Sequence, residues 1–253
     1  MQKKRVIILM ACLALMTAGC SGTGTTATAP DQASNVAFKT PEEAITHYFE
    51  GVAQSDIHKI AQACAIDEMS EKFKFDQYTE RLRAFLPVQS QSPAEYPFYV
   101  EINKMQLSSQ IFNRVKMFAY SLLSSEKVDE GATIVLDAEA TERISQFIKD
   151  VDPKGLAQLE LKTIGLPNKK LMNDARYLEN AAKLASIYGA DESTERVALF
   201  SFEGNYYYLG FTLLRYGDNW KISSQTSPLA GTSALGTPQK TTVEEFESMI
   251  NSN

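Results

Sequence analysis

Arg196-Val-Ala-Leu-Phe-Ser-Phe202, Glu203-Gly-Asn205, Tyr206-Tyr-Tyr-Leu-Gly-Phe-Thr-Leu-Leu-Arg-Tyr216, Gly217-Asp-Asn219 and Trp220-Lys-Ile-Ser-Ser-Gln225 read as three strands and two turns. Glycine beside an acidic or amide residue suits the positive φ of tight hairpins, and the flanking runs are β-branched or aromatic. The stretch is therefore a three-stranded antiparallel meander. In its middle run Tyr207, Leu209, Phe211 and Leu213 share one face, and Tyr206, Tyr208, Thr212 and Tyr216 share the other. Neither face is purely polar, so this strand is expected to be central and covered on both sides.

Helices precede the meander. Thr40-Pro-Glu-Glu43 is a start signal: a capping threonine, proline at the first helical position, and a glutamate three residues on. The helix to about Ala53 carries Ala44, Ile45, Tyr48, Phe49 and Val52 as one stripe. Asp56 caps a second helix, 57–65, in which Cys64 keeps step with Ile57, Ile60 and Ala61 and reads as core. A third is expected over 70–86, with Phe75, Tyr78, Leu82 and Phe85 inward and Pro87 as its stop. Residues 88–99 form a Ser/Gln/Pro-rich connection, and 102–116 a helix with Met105, Ile111, Phe112 and Val115 in phase. Residues 117–127 either prolong that helix or form a strand. The strand is preferred, pairing with 132–140 across Asp129-Glu-Gly131. A short helix follows at 141–148, then strand or loop at 156–164. A single helix over 168–188, with Leu171, Ala175, Leu178, Ala182 and Ala185 on one face, ends at Gly189. Beyond Ser227 the chain is Pro/Gly/Ser/Thr-rich, closing with a helix capped by Thr242 that carries Phe246, Met249 and Ile250.

The first twenty residues read differently. Lys3, Lys4 and Arg5 precede an apolar run from Val6 to Met16, and Thr17-Ala-Gly19 leads into Cys20. This is the layout of a secretory signal, too short to span a bilayer as a helix. The cysteine behind small residues resembles a bacterial lipobox, in which the Cys20 thiol receives a diacylglyceryl group and becomes the new N-terminus. The lipobox leucine three places earlier is replaced by Thr17. Ser21 to Pro30 is the polar tether that an anchored domain needs. The expected organisation is a signal over 1–19, a tether over 20–37, a domain over 38–226 and a tail over 227–253. Within the domain, 141–190 reads as a helical insertion, and 156–190 either belongs to that insertion or forms a separate lobe.

The 253 residues hold 25 basic and 31 acidic side chains, and loss of the signal makes the chain more acidic still. That balance speaks against nucleic acid as a partner and against electrostatic membrane binding. Of three cysteines, Cys12 leaves with the signal and Cys20 carries lipid, so Cys64 has no partner for a disulfide.

The Thr-Pro-Glu-Glu-Ala helix, the Gln-Ser-Asp turn into a second helix, and strands ending Gly-Asp-Asn-Trp-Lys-Ile are similar to the NTF2-like (cystatin-like α+β) lipoproteins of Firmicutes. The resemblance spans Phe38 to Gln225. It implies an α+β fold in which N-terminal helices pack into a curved antiparallel sheet to make a cone, here with the added helical insertion. It also implies that an enzyme of this fold would use an Asp or His base with a tyrosine in the cone.

Chemistry is sparse. His47 and His58 sit eleven residues apart on helices, no metal-ligand spacing occurs, and the glycines mark turns or strand interiors instead of a phosphate loop. Asp137 and Glu139 share a face of the expected hairpin and read as solvated. Tyr48, Tyr206, Tyr208 and Trp220 are the candidate lining of an aromatic pocket. No catalytic residue, metal site or cofactor is expected. The reading is a lipid-anchored protein on the outer face of the cell membrane, binding a small molecule, a peptide or an envelope protein without catalysing a reaction. The alternatives are a cone enzyme of isomerase or hydratase type and a purely structural spacer.

Overall fold

Turn chemistry sets the meander. The computed structural model describes residues 36–84, 87, 90–125 and 140–251, and strands β2 (Glu192–Phe202), β3 (Asn205–Tyr216) and β4 (Asn219–Ser224) stand where the turns require. Glu203 and Gly204 both have positive φ, 47° and 76°, which makes a type I′ hairpin closed by the Phe202–Asn205 pair. Gly217, with φ 63°, opens the second two-residue loop between Tyr216 and Asn219.

Five strands form one antiparallel, curved sheet in the order β1-β2-β3-β4, and β5 (Gln239–Thr241) also pairs with β3. Strand β1 (Glu160–Gly165) lies on the outer edge of β2. Strands β4 and β5 divide the other edge of β3: β4 pairs with 212–216, and β5 with 206–208. Register shifts at Leu161/Thr163 and Thr212/Leu213 bend the strands. β3 is central, as its two apolar faces require.

The face carrying Leu209, Phe211 and Leu213 receives helix α1 (Pro41–Ala53) and helix α5 (Pro97–Leu123). Thr40 Oγ1 accepts from the Glu43 amide, and the Glu43 carboxylate accepts from Lys39 N–H, so the start signal works as a cap. Phe49 of α1 lies 5.3 Å from Phe200, 5.9 Å from Phe211 and 6.3 Å from Phe118 of α5, ring centre to ring centre. Helix α2 (Ile57–Ala63), capped by Asp56, leads Cys64 into a bridge with Ile222 of β4, and the thiol is buried.

Several expectations are corrected. Residues 117–123 continue α5, because Leu107, Ile111, Val115, Phe118 and Leu122 keep helical spacing against the sheet. The expected partner strand and its turn lie outside the described residues. Met105 is 74% exposed, off that inward stripe. The helix expected over 70–86 is two, α3 (Ile66–Glu71) and α4 (Phe75–Leu82). Between them Phe73 turns into the core, and Lys74 N–H bonds Ile187 O at 2.8 Å. The helix over 168–188 is broken by a second cap. Asn168 starts α7 (Lys169–Met172), and Asp174 accepts from Arg176 and Tyr177 amides to start α8 (Ala175–Ile187). Its inner stripe is Tyr177, Ala181, Leu184 and Ala185, and Leu178 is 54% exposed. The segment 141–190 is not wholly helical: after α6 (Ala140–Asp150) and a 3₁₀ turn at 153–158 it supplies edge strand β1.

The tail is also part of the domain. Helix α9 (Val243–Asn251) places Phe246, fully buried, against Val197 and Leu199 on the second face of the sheet, beside Tyr206 and Tyr208. The turn at 227–232 presses on the same face at Gly210, where a Cβ would lie 2.5 Å from Ser227 Cβ and 2.6 Å from Ser227 N. The Glu195 carboxylate pins that turn, accepting from Ser227 Oγ and from Leu229 N–H. Gly210→Val is expected to destabilise by about 1–3 kcal/mol through overpacking, about 2–4 °C of melting temperature per kcal/mol. Calorimetry checks it, and an unchanged melting temperature contradicts the close approach.

Candidate functional site

The four expected pocket residues do not meet. Tyr48 is fully buried on α1, edge-on to Phe211 at 5.4 Å. Tyr206 and Tyr208 lie on the opposite face of the sheet, under α9, where Tyr208 OH donates to Gln239 Oε1. Trp220 is buried on β4, its backbone N–H donating to Phe38 O, with the Arg215 guanidinium over its ring at 5.9 Å. The pocket-lining expectation is thus corrected: alternation along β3 puts Tyr206 and Tyr208 on the side of the sheet away from Tyr48.

The histidines form no site either. His58 is exposed, and His47 Nε2 lies 3.2 Å from Gln62 Oε1 with its ring against Phe38. In the groove beside His47, Glu42 is held by Arg196 at 2.6 Å and Glu50 by Lys59. Among the described residues no three metal-ligating side chains converge.

A different cleft, of about 210 Å³, opens between α3, α4, α5 and the end of β4. Helix α5 supplies its polar wall through Gln106, Gln110 and Arg114, a four-residue spacing that stacks side chains on one helix face. Met69, Phe73 and Leu107 make an apolar wall. Gln91 is placed over the cleft by a clamp: Ser92 N–H donates to Asn103 Oδ1 at 2.8 Å, and Asn103 Nδ2 donates back to Ser92 O at 2.9 Å. Arg114 is positioned by three contacts. Its Nε donates to Ala234 O at 3.3 Å, its Nη1 donates to Ser224 Oγ at 3.0 Å, and the backbone at Gly236 abuts its stem, where a Cβ would fall 2.9 Å from Arg114 Cβ. Burial lowers the Arg114 pKa from its ordinary value.

Unsatisfied polar groups continue from the cleft into the core. Gln91 Oε1, Tyr48 OH and both amide atoms of Gln225 are buried without a partner of hydrogen-bond geometry among the described residues. Burial pushes the Tyr48 phenol well above its ordinary range, with Cys64 adding to the rise and the nearby Gln225 amide and Arg114 opposing it. The Gln225 amide lies near the hydroxyl without offering it an aligned bond, and a buried hydroxyl stabilises only when its bond is well aligned.

On the other side of Cys64 lies a buried cation. Lys221 is 5% exposed, donates from Nζ to Gln62 O and to Val36 O, and is held below its ordinary pKa by burial. Burial pushes the Cys64 thiol up to about 12 and raises Glu68 above 4.5. Lys221 ties β4 to α2 and to the segment before α1.

No protein-family model matches the sequence, and no curated protein matches it. In three dimensions the chain is similar to a cystatin-like protein from Ruminococcus gnavus ATCC 29149 of known crystal structure, with a TM-score of 0.55 and 20% sequence identity. The match covers 80% of this chain and 44% of that one, so this chain spans less than half the length of the protein it resembles. At that identity the likeness establishes the fold: helices on an open, curved antiparallel sheet of cystatin-like, NTF2-like type.

Tyr48→Phe is expected to raise stability by about 1 kcal/mol, because it removes an unsatisfied buried hydroxyl; a loss of similar size in chemical denaturation shows a bond to Gln225 instead. Glu68 binds its proton more tightly folded than unfolded, so its contribution is complete below pH 4.5 and is lost as pH rises towards its folded value. The stability of Glu68→Gln relative to wild type is therefore expected to improve as pH rises through that window, and parallel denaturation curves read this directly.

Proposed function

We propose that this chain is an extracytoplasmic binding module, held at the outer face of the membrane by lipid on Cys20 and presenting the cleft beside α5 to a small molecule or to part of a peptide or envelope protein. The anchoring rests on the signal layout ending at Cys20 and the polar tether behind it. A diacylglyceryl group buries many methylenes at about 0.8 kcal/mol each, enough to hold an acidic domain at a surface that would otherwise repel it. Among the described residues no helix is long and apolar enough to cross a membrane, so the lipid carries the attachment in this reading.

The observation that carries the binding role is the make-up of the cleft: amides, hydroxyls and one guanidinium facing an apolar wall. A few placed polar groups in an otherwise apolar concavity are what ligand sites use to orient their occupants. None of the described lining residues is Asp, Glu, His or Cys; the expected pocket residues Tyr48, Tyr206 and Tyr208 are sealed in the core or lie on the far face, and the two tyrosines that do line the cleft, Tyr78 and Tyr188, have no acid or base beside them in its wall. Support therefore goes to binding over the isomerase or hydratase alternative.

Mass spectrometry of the native protein is expected to find a processed N-terminus at Cys20 carrying a diacylglyceryl group, and detergent phase separation is expected to place the protein in the detergent-rich phase. An unmodified first residue, or partition into the aqueous phase, overturns the anchoring. A screen of small metabolites and short peptides by thermal shift tests binding. A ligand at one hundred times its Kd stabilises by about 2.7 kcal/mol, and a screen without any shift overturns the binding role.

A further inference from the structure

Resting on the binding-module reading, we propose that the cleft receives the carboxylate of an N-acylated amino acid or a peptide C-terminus. Arg114 anchors the anion, the α5 glutamines read the adjoining amide, and the wall of Met69, Phe73 and Leu107 seats an apolar side chain.

Arg114 lacks a counter-charge among the described residues. Arg196 is paired with Glu42 at 2.6 Å and Arg215 with Glu192 at 3.1 Å. Arg114 is half-buried, yet its hydrogen-bond partners among the described residues are the neutral oxygens Ala234 O and Ser224 Oγ. No carboxylate of the described residues comes within ion-pair distance of it. In a chain with 31 acidic residues against 25 basic ones, this is the reverse of what charge balance alone would place there. Desolvating a cation without an anion is costly, and two neutral acceptors offset only part of that cost. A guanidinium carries five N–H groups in a planar fork suited to a carboxylate, and the two contacts leave three of them for a ligand.

The surroundings narrow the class. Arg114 is the only cationic side chain among the described residues lining the cleft, which fits a monoanion; a phosphate dianion would keep an uncompensated charge in a partly desolvated site. Gln110 and Gln106 stack one and two turns before Arg114, and Gln91 lines the same space. Glutamine amides both donate and accept, as a peptide group does, so a carboxylate one residue from an amide meets complementary groups in order along α5. The volume of about 210 Å³ equals roughly seven waters at ~30 Å³ each. That is room for one acylated residue, not for a folded segment.

The test is calorimetric titration of the full chain in detergent with N-acetyl-leucine and with N-acetyl-leucinamide, which differ only in the anion. The carboxylate is expected to bind at least tenfold tighter, about 1.4 kcal/mol. Arg114→Gln is expected to abolish that preference, and Gln110→Ala to weaken both compounds severalfold. Should Arg114→Gln fail to fold, the wild-type preference together with Gln110→Ala decides the matter. Equal binding of acid and amide, or a preference that survives in folded Arg114→Gln, overturns the anion anchor and leaves the binding role standing. Absence of binding by either compound up to about 10 mM overturns this ligand class, and the wider screen then judges the binding role separately. N-acetyl-alanyl-alanyl-leucine distinguishes the two sources of the same chemistry: tighter binding marks a peptide C-terminus, and loss of binding marks a free acylated amino acid.

Discussion

The ring of Phe49 is the contact on which the rest of the domain depends. It meets Phe200 of β2, Phe211 of β3 and Phe118 of α5 within 6.3 Å, while its neighbour Tyr48 meets Phe211 edge-on. Two helices and the β2–β3 hairpin, far apart in sequence, are fixed to each other at one point, and tilted and edge-on ring pairs add about 0.5–1.5 kcal/mol each beyond area burial. With α1 set on the sheet, the Asp56-capped turn carries α2 to β4, and Ala65 N–H reaches Ile222 O at 2.8 Å. Helix α5 is fixed by the same cluster through Phe118, which determines where its remaining side chains point.

That helix has two adjoining stripes with different tasks. Leu107, Ile111, Phe118 and Leu122 close the core, and Gln106, Gln110 and Arg114, one position round, face the cleft. The apolar stripe gives the polar one its rigidity, because a ligand contact from a packed helix costs little ordering when it forms. The loop carrying Ala234 and Gly236 then holds the arginine from the other side.

Much of this architecture is legible in the sequence. Glu203-Gly204 and Gly217 announce their turns because few residues adopt positive φ, and the double-sided β3 announces its central place. Thr40 and Asp56 cap as their chemistry dictates. Local signals fail where long-range contact decides. Lys74 breaks a helical pattern because Ile187 O offers it a bond, and 117–123 stay helical because the sheet rewards Phe118. β5 has no strand signal in Gln239-Lys-Thr241; it exists because β3 has a free edge beside it. The candidate site was least legible. Alternation shows that Tyr206 and Tyr208 share a face but not which face holds a cavity. Glutamines four residues apart look like any solvated helix surface until the sheet is placed opposite them. The missed signal was Arg114 itself, in step with Gln106 and Gln110 on a helix otherwise devoted to the core.

The division of the β3 edge between β4 and β5 has a bearing on the order of assembly. Residues 205–216 emerge before 239–241, and β2 and β4 can pair with them at once, since each is joined by a two-residue loop. The backbone groups at 206–208 must wait for a segment some thirty residues downstream. Until it arrives, a short stretch of unpaired amide and carbonyl groups, flanked by three tyrosines, stands open to other chains. The last part of the domain to be synthesised is thus its own edge protection, and any process that delays residues 239–251 extends the period in which neighbouring molecules compete for that place.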